Sequence, residues 1–264
     1  MKPFFFGTSQ KPLFGLYHPP NGGSSRVGGI VLCYPFGLEY LRVHRSFREL
    51  ANRLAGVGFH ALRFDYYGSG DSGGESESAD AAQWMEDISA AIEEVRETSG
   101  SPRVSLLGVR LGAALCALAG SRRDDIERLV LWDPVVKGSE YLRDLGERHT
   151  EWLGTHPRPQ DFEEHEPPRE LLGMPFPPGL REQLEAIDLL RLEKRPAREV
   201  LIVSSDADPD ALALKEHLAH LGVRVAFEHI PGSKVYLKED EINQAVVPHG
   251  TLQAISSWLA ESRA

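Results

Sequence analysis

At 264 residues the chain is long enough for one large domain or two small ones. Apolar residues at 41% and charged residues at 26% exclude a disordered chain, and a formal charge of −10 excludes a nucleic-acid partner, which needs a basic face. No run of about 18 apolar residues occurs, so no membrane span is expected, and "MKPFFFGTSQK" breaks at Gly7, too early for a secretory leader.

The elements follow in chain order. "KPFFFG" and "PLFGLYHPP" read as two short strands, followed by a Gly/Ser-rich turn at Asn21 to Ser25. "VGGIVLCYPFG" is a continuous apolar run, the pattern of a strand buried on both faces. "HRSFRELANRLAGVG" places Phe47, Leu50, Leu54 and Val57 at helical spacing, closed by Gly56 and Gly58. "FHALRFDYYGSGDSGGE" is a strand entering a glycine-rich loop. The helix after it, "SADAAQWMEDISAAIEEVRE", aligns Trp84, Ile88, Ile92 and Val95 on one face. "RVSLLG" then turns through Arg110 into a helix with Leu111, Leu115 and Leu118 on one stripe.

"IERLVLWDPVV", "EVLIVSSDADPD" and "VRVAFEHIPGS" are three further strands. "PDALALKEHLAHLG" and "HGTLQAISSWLAE" are helices. The alternation predicts an α/β architecture, a mostly parallel central sheet with helices on both faces. Residues 137–190, rich in Glu, Arg, Pro and His, interrupt the rhythm with short helical patterns such as "SEYLRDLGERHTEWLG" and "LREQLEAIDLL". They are expected to form a cap or lid over the carboxyl ends of the strands, on a core of residues 1–136 and 191–264.

Cys33 and Cys116 sit in apolar runs, as buried reduced thiols of a cytoplasmic protein would. His217 and His220 share a helix face without a third ligand, so no metal is expected. The glycines of "GSGDSGG" lack the lysine and the spacing of a phosphate-binding P-loop, and no cofactor is expected.

The element order, the Arg110 turn, the cap position and "RFDYYGSGDS" together resemble the α/β-hydrolase superfamily, including its serine aminopeptidase-like branch. "PFGLEYLRVHRSF", "GVRLGA" and "LWDPVV" are similar to a group of uncharacterised hydrolase-like proteins with a G-x-R-x-G elbow, the type associated with exosortase A systems. The resemblance implies an elbow, flanked by Gly108 and Gly112, that elsewhere presents a nucleophilic serine. Arg110 stands at that position, and a protonated guanidinium cannot attack a carbonyl. The catalytic acid of the family maps to Asp208, with Asp206 two residues away, or to Asp133 in "LWDP". The loop that usually carries the histidine reads "HIPGSKVYLKED", with Lys234, Val235 and Tyr236 in its place.

The expectation is therefore a protein that binds a small anionic or acyl ligand, a carboxylate, phosphate or acyl group, with serine-hydrolase chemistry weakened or lost. Arg110 and the elbow amides would hold the anion. Alternatively, Arg110 forms a structural bridge to Asp133, Asp208 or Glu39. Candidate ligand contacts are Phe36, Gly37, Glu39, Tyr66, Tyr67, Arg110 and Leu111. His44, close to neutrality in its ordinary pKa, is the remaining general-base candidate. Two other functions stay open: an enzyme acting on an ester or thioester by an unconventional mechanism, and a non-catalytic partner-binding protein. The sequence leaves the oligomeric state open, a homodimer included.

Overall fold

The computed structural model describes residues 1–21, 28–155, 168–232, 234–237 and 247–261. Past Asn21, the expected Gly/Ser turn falls outside them, as do residues 156–167 of the expected cap. The chain begins with β1 (Lys2–Gly7), β2 (Pro12–His18), β3 (Gly28–Cys33), α1 (Leu38–Gly56) and β4 (Phe59–Phe64). It continues with α2 (Ala81–Ser99), β5 (Val104–Val109), α3 (Leu111–Ser121) and β6 (Ile126–Trp132). Then come α4 (Gly138–Thr155), β7 (Glu170–Leu171), β8 (Met174–Pro175) and α5 (Pro178–Glu185). It closes with β9 (Glu199–Ser204), α6 (Pro209–His220), β10 (Arg224–His229) and α7 (His249–Ala260).

One sheet holds eight strands in the order β1-β2-β4-β3-β5-β6-β9-β10. β2 pairs antiparallel with β1 and with β4, and every other pairing is parallel. β3, β4, β5 and β9 are buried along their whole length, as continuous apolar strands in a doubly covered parallel sheet must be. α1 packs with α7 in one layer, and α2 packs with α3 in the other.

The helices form for local reasons. Asp80 caps α2, its side chain accepting from the Gln83 amide at 2.7 Å, and Trp84, Ile88, Ile92 and Val95 turn into the core. α1 starts at Leu38, six residues before the first residue of the expected helical pattern. The start signal is Gly37, whose φ of 65° ends the turn after β3, and Glu39 and Val43 already face inward.

The segment between β6 and β9 contributes α4, α5 and the two-residue hairpin strands β7 and β8. Phe176, Leu180 and Leu184 are buried there with Tyr141 and Leu145 of α4, so this segment joins the main core. Its carboxyl end is tied down by Gly138, where a Cβ would come within 1.6 Å of the Leu184 carbonyl oxygen.

The glycine-rich loop after β4 is organised by Asp65. Its carboxylate accepts from the Tyr40 hydroxyl at 2.9 Å and the Asp71 amide at 3.0 Å, and its carbonyl accepts from Ser72 Oγ at 2.6 Å. The loop thereby folds back beside the end of β3. Burial, the largest influence, holds the Asp65 carboxyl above its ordinary range despite these donors.

Candidate functional site

β3, β4 and β5 lie side by side, and their carboxyl ends converge where the strand order reverses direction. Ligands of open α/β sheets bind at that crossing. Arg110 joins β5 to α3 with φ 53° and ψ −122°, a strained backbone for a non-glycine residue. Its amide donates to the Trp132 carbonyl at 3.0 Å, and its carbonyl accepts from Ala113, Ala114 and Val135. The turn is tight because the flanks have no side chains. A Cβ on Gly108 would lie 2.4 Å from the Gly112 backbone, and one on Gly112 would lie 2.3 Å from the Tyr34 carbonyl oxygen.

The Arg110 side chain is answered on several sides. Nε reaches Glu39 at 3.3 Å, Nη1 reaches the Asp133 carbonyl at 3.5 Å, and Nη2 lies 4.0 Å from Asp144. Its guanidinium stacks 4.7 Å from the Tyr236 ring centre and 5.4 Å from that of Tyr141. Burial alone would lower its pKa. Glu39, then the two tyrosines and Asp133, overcome this and hold it above its ordinary value.

Glu39 is 3% exposed and takes a second cation, Arg148 of α4, at 3.5 Å. Arg148 in turn holds Asp144 at 2.6 Å, and the Tyr141 hydroxyl donates to Glu39 at 3.3 Å. Two guanidiniums and two carboxylates thus close a network between α1, the elbow and α4.

Asp133 follows β6 with φ 43°, its carbonyl 3.5 Å from Arg110 Nη1. Its carboxylate accepts from the Ser205 amide at 2.6 Å and from Ser205 Oγ at 2.5 Å, and Tyr236 lines the same groove. Burial dominates and raises its pKa, while Ser205, Arg110 and Tyr236 pull the other way. The Tyr236 hydroxyl, also buried, is raised well above its ordinary value.

The expected site residues separate into three places. Arg110, Asp133 and Asp208 border an open polar groove of about 320 Å³, together with Asp206, Lys234 and Tyr236. Asp208 caps α6, accepting from the Asp210 amide at 2.9 Å, and Asp206 pairs with Lys234. Of the three proposed bridging partners, Glu39 therefore meets Arg110 through its carboxylate and Asp133 through its backbone carbonyl. Phe36, Gly37, Tyr66 and Leu111 instead line an apolar cavity of about 180 Å³, with Trp84, Leu115, Met174 and Pro175 among its other walls. The first amide of α3, on Leu111, lacks an intrahelical acceptor by the geometry of helix starts.

His44 and Tyr67 lie elsewhere. His44 stacks on Tyr34 and opens on a separate cavity of about 60 Å³ with Arg63, Asp65 and Asp71. Burial and then Arg63 lower its pKa. The Tyr67 amide donates to Asp87 at 2.8 Å and its ring lies under Lys11, away from the elbow cavity. His44 thus points to the β4 side of α1, and the glycine loop turns Tyr67 outward while Tyr66 stays in.

Tyr141, Arg148 and Tyr236 were not among the expected site residues. The last lies in the stretch where the resemblance leads one to look for a histidine, and its ring faces the Arg110 guanidinium. Cys33 and Cys116 are both buried. His217 bonds the Leu192 carbonyl, and among the described residues no cluster suits a metal ion. No described helix is long and apolar enough to cross a membrane.

Residues 42–166 match the family model of serine aminopeptidases, S33. Among solved structures, Est1E from Butyrivibrio proteoclasticus with bound ferulic acid superposes with a TM-score of 0.67 at 17% identity, over 97% of each chain. A putative hydrolase from Agrobacterium vitis S4 gives 0.63 at 21% identity, over 98% of each chain. The Pyrococcus furiosus esterase Pf2001 gives 0.66 at 17% identity, over 98% of this chain and 89% of that one. No curated protein matches by sequence.

Proposed function

We propose that this chain, an α/β-hydrolase-fold protein with an arginine at its elbow, binds a small acyl or aromatic ligand in the elbow cavity without hydrolysing it through a serine. The observation that carries the reading is the division of the elbow. Arg110 is locked to Glu39 and borders the polar groove, whereas its neighbour Leu111 opens on the apolar cavity. A guanidinium already met by a buried carboxylate offers little to a second anion, so the acyl half of the ligand expectation is better supported than the anionic half. Arg110, Tyr236 and Asp133 occupy the places that Ser, His and Asp hold in the hydrolases this fold resembles. The set thus lacks the hydroxyl nucleophile and the imidazole base of a serine hydrolase.

The cavity is slightly larger than an apolar void of roughly 150 Å³ that admits benzene. It suits one aromatic ring or a short acyl chain. The Leu111 amide would take the ligand's carbonyl oxygen, as the corresponding amide does in the family's oxyanion hole. Structural relatives that are esterases, one holding ferulic acid, support a ligand of this class.

The test is calorimetric titration with hexanoate methyl ester, hexanoyl-pantetheine and a cinnamate ester, alongside a fluorophosphonate probe. Binding without turnover and without labelling is expected. Ala79→Phe, which fills the cavity wall, should weaken that binding by about tenfold or more, since one aromatic ring displaces the ligand's own volume. Labelling of the wild type would instead establish an activated nucleophile and overturn the reading.

A further inference from the structure

Residues within 34–41, 66–84 and 111–115 supply every described wall of the elbow cavity but two, Met174 and Pro175. These two form β8, the return strand of a hairpin in which Leu171 pairs with Met174 and Glu170 with Pro175. The base of the hairpin is fixed in the core. Leu171 and Phe176 are buried, and the Phe176 amide donates to the Arg169 carbonyl at 2.7 Å. The other end reaches across to the loop after β3. A Cβ on Gly37 would lie 3.9 Å from Met174 Cγ, so this methionine closes the gap opposite Gly37.

The tip of the hairpin is strained. Leu172 and Gly173 join its strands with φ of 54° and 78°. Positive φ at both places is what a two-residue hairpin turn needs, and it suits Asn-Gly or Gly-Gly while disfavouring a leucine. The Leu172 amide donates to His149 Nδ1 of α4 at 3.0 Å. His149 is buried, its ring stacks on Trp152, and a Cβ on Gly173 would lie 3.5 Å from that indole. Because Leu172 is the donor, Nδ1 carries no proton there. One hydrogen bond from α4 thus opposes the tendency of Leu172 to relax to negative φ.

We propose that the tip of the β7–β8 hairpin is a gate on the elbow cavity, with Met174 as its leaf, the turn at Leu172 as its spring and His149 as its latch. Released from His149, Leu172 relaxes, the tip turns away from Gly37 and the cavity opens. Recapture of the amide by Nδ1 shuts it. His149 is here a positioning residue, acting on the cavity through Leu172 and Met174. What passes the gate rests on the acyl-cavity reading. That the gate moves rests on the hairpin alone.

Gate opening is read without a ligand, as the rate at which dilute hydrogen peroxide converts Met174 to its sulfoxide, followed by peptide mass spectrometry. Met85, half-buried on α2 and outside the cavity lining, is the internal reference for general loosening. His149→Phe keeps a flat ring against Trp152 and removes the acceptor. One neutral hydrogen bond shifts an equilibrium by about two- to tenfold, so Met174 oxidation should rise about fivefold while Met85 stays unchanged. His149→Asn, whose Oδ1 accepts near the place of Nδ1, should return the rate close to wild type. Leu172→Asn added to His149→Phe should do the same, because Asn-Gly holds this turn without a latch. Hexanoate methyl ester, followed by stopped-flow tryptophan fluorescence, should enter the His149→Phe protein faster than wild type by a similar factor. The proposal is overturned if His149→Phe leaves Met174 oxidation unchanged or raises that of Met85 equally. It is equally overturned if either restoring change fails, or if the ester enters both proteins at one rate. Should the ester bind neither protein while the oxidation pattern holds, the cavity reading falls and the gate stands.

Discussion

Arg110 and Arg63 are two guanidiniums withdrawn from water in the same molecule, and they are accommodated by opposite means. Arg110 is 17% exposed and is met by carboxylate charge, Glu39 directly and Asp144 and Asp133 nearby, with tyrosine faces on two sides. Arg63, 1% exposed on β4, enters no ion pair among the described residues. Its Nε donates to His18 Nε2 at 3.2 Å, its Nη1 to the Tyr34 hydroxyl at 2.8 Å and its Nη2 to Met1 Sδ at 3.5 Å. The first arrangement closes a charge network across the place where a nucleophile would stand. The second leaves a cation among neutral acceptors and forces one of them, His18, to stay neutral. Burial and then Arg63 lower the His18 pKa from 6.5 to about 4. A buried arginine is thus informative only together with what answers it.

The sharpest way to break this contrast is to remove Arg110 and rebuild what its position resembles. Arg110→Ser with Tyr236→His would place a hydroxyl at the elbow and an imidazole beside Asp133. A general base of this kind contributes about 10²–10⁴-fold, so short-chain p-nitrophenyl ester hydrolysis should rise at least about 10²-fold over wild type. Fluorophosphonate labelling should appear with it. Arg110→Ser alone should remain at the wild-type background. Equal activity in the single and double variants would show that another base serves the site.

Removing the counter-charge gives a smaller effect. Glu39→Gln keeps the shape but leaves Arg110 and Arg148 without their shared carboxylate. Breaking a buried pair costs about 3–5 kcal/mol. Asp133 and Asp144 remain close, so a loss of about 2 kcal/mol is expected, read as a melting temperature lower by roughly 4–8 °C. An unchanged melting temperature would mean that Glu39 does not carry the network.

The Arg63 side predicts the smallest change, through pH. A histidine whose folded pKa lies below its unfolded one adds stability above the unfolded value, and that stability is lost as pH falls toward the folded value. For His18 the window runs from 6.5 down to about 4. Wild-type stability should decline across it by on the order of 1–2 kcal/mol more than that of His18→Gln, which can keep the contacts to Arg63 and Asn52. Parallel pH profiles from denaturant titrations would assign the acid sensitivity elsewhere.

The framework was legible because its causes are local. Continuous apolar runs mark β3, β5 and β9, glycines at 108 and 112 mark the elbow, and the spacing of Trp84, Ile88, Ile92 and Val95 marks α2. The start of α1 was less so, since the glycine that sets it also ends the preceding turn. The answer to Arg110 was partly hidden for a different reason. Glu39 and Asp133 could be named from their places at the ends of elements. Tyr141 and Tyr236 reach the guanidinium from α4 and from a distant loop, Arg148 of α4 reaches its partner Glu39, and no short-range pattern ties them to residue 110. His44 illustrates the reverse case, close in sequence to the loop after β3 yet turned by the helix toward another cavity.

Glu39 and Leu41 are two residues apart on α1, hence separated by about 200° around its axis. One grips the charged clasp and the other stands at the cavity entrance. Any roll of this helix therefore moves the two in opposite senses, as the ends of a rocker do, so slackening the clasp and changing the width of the doorway are a single motion.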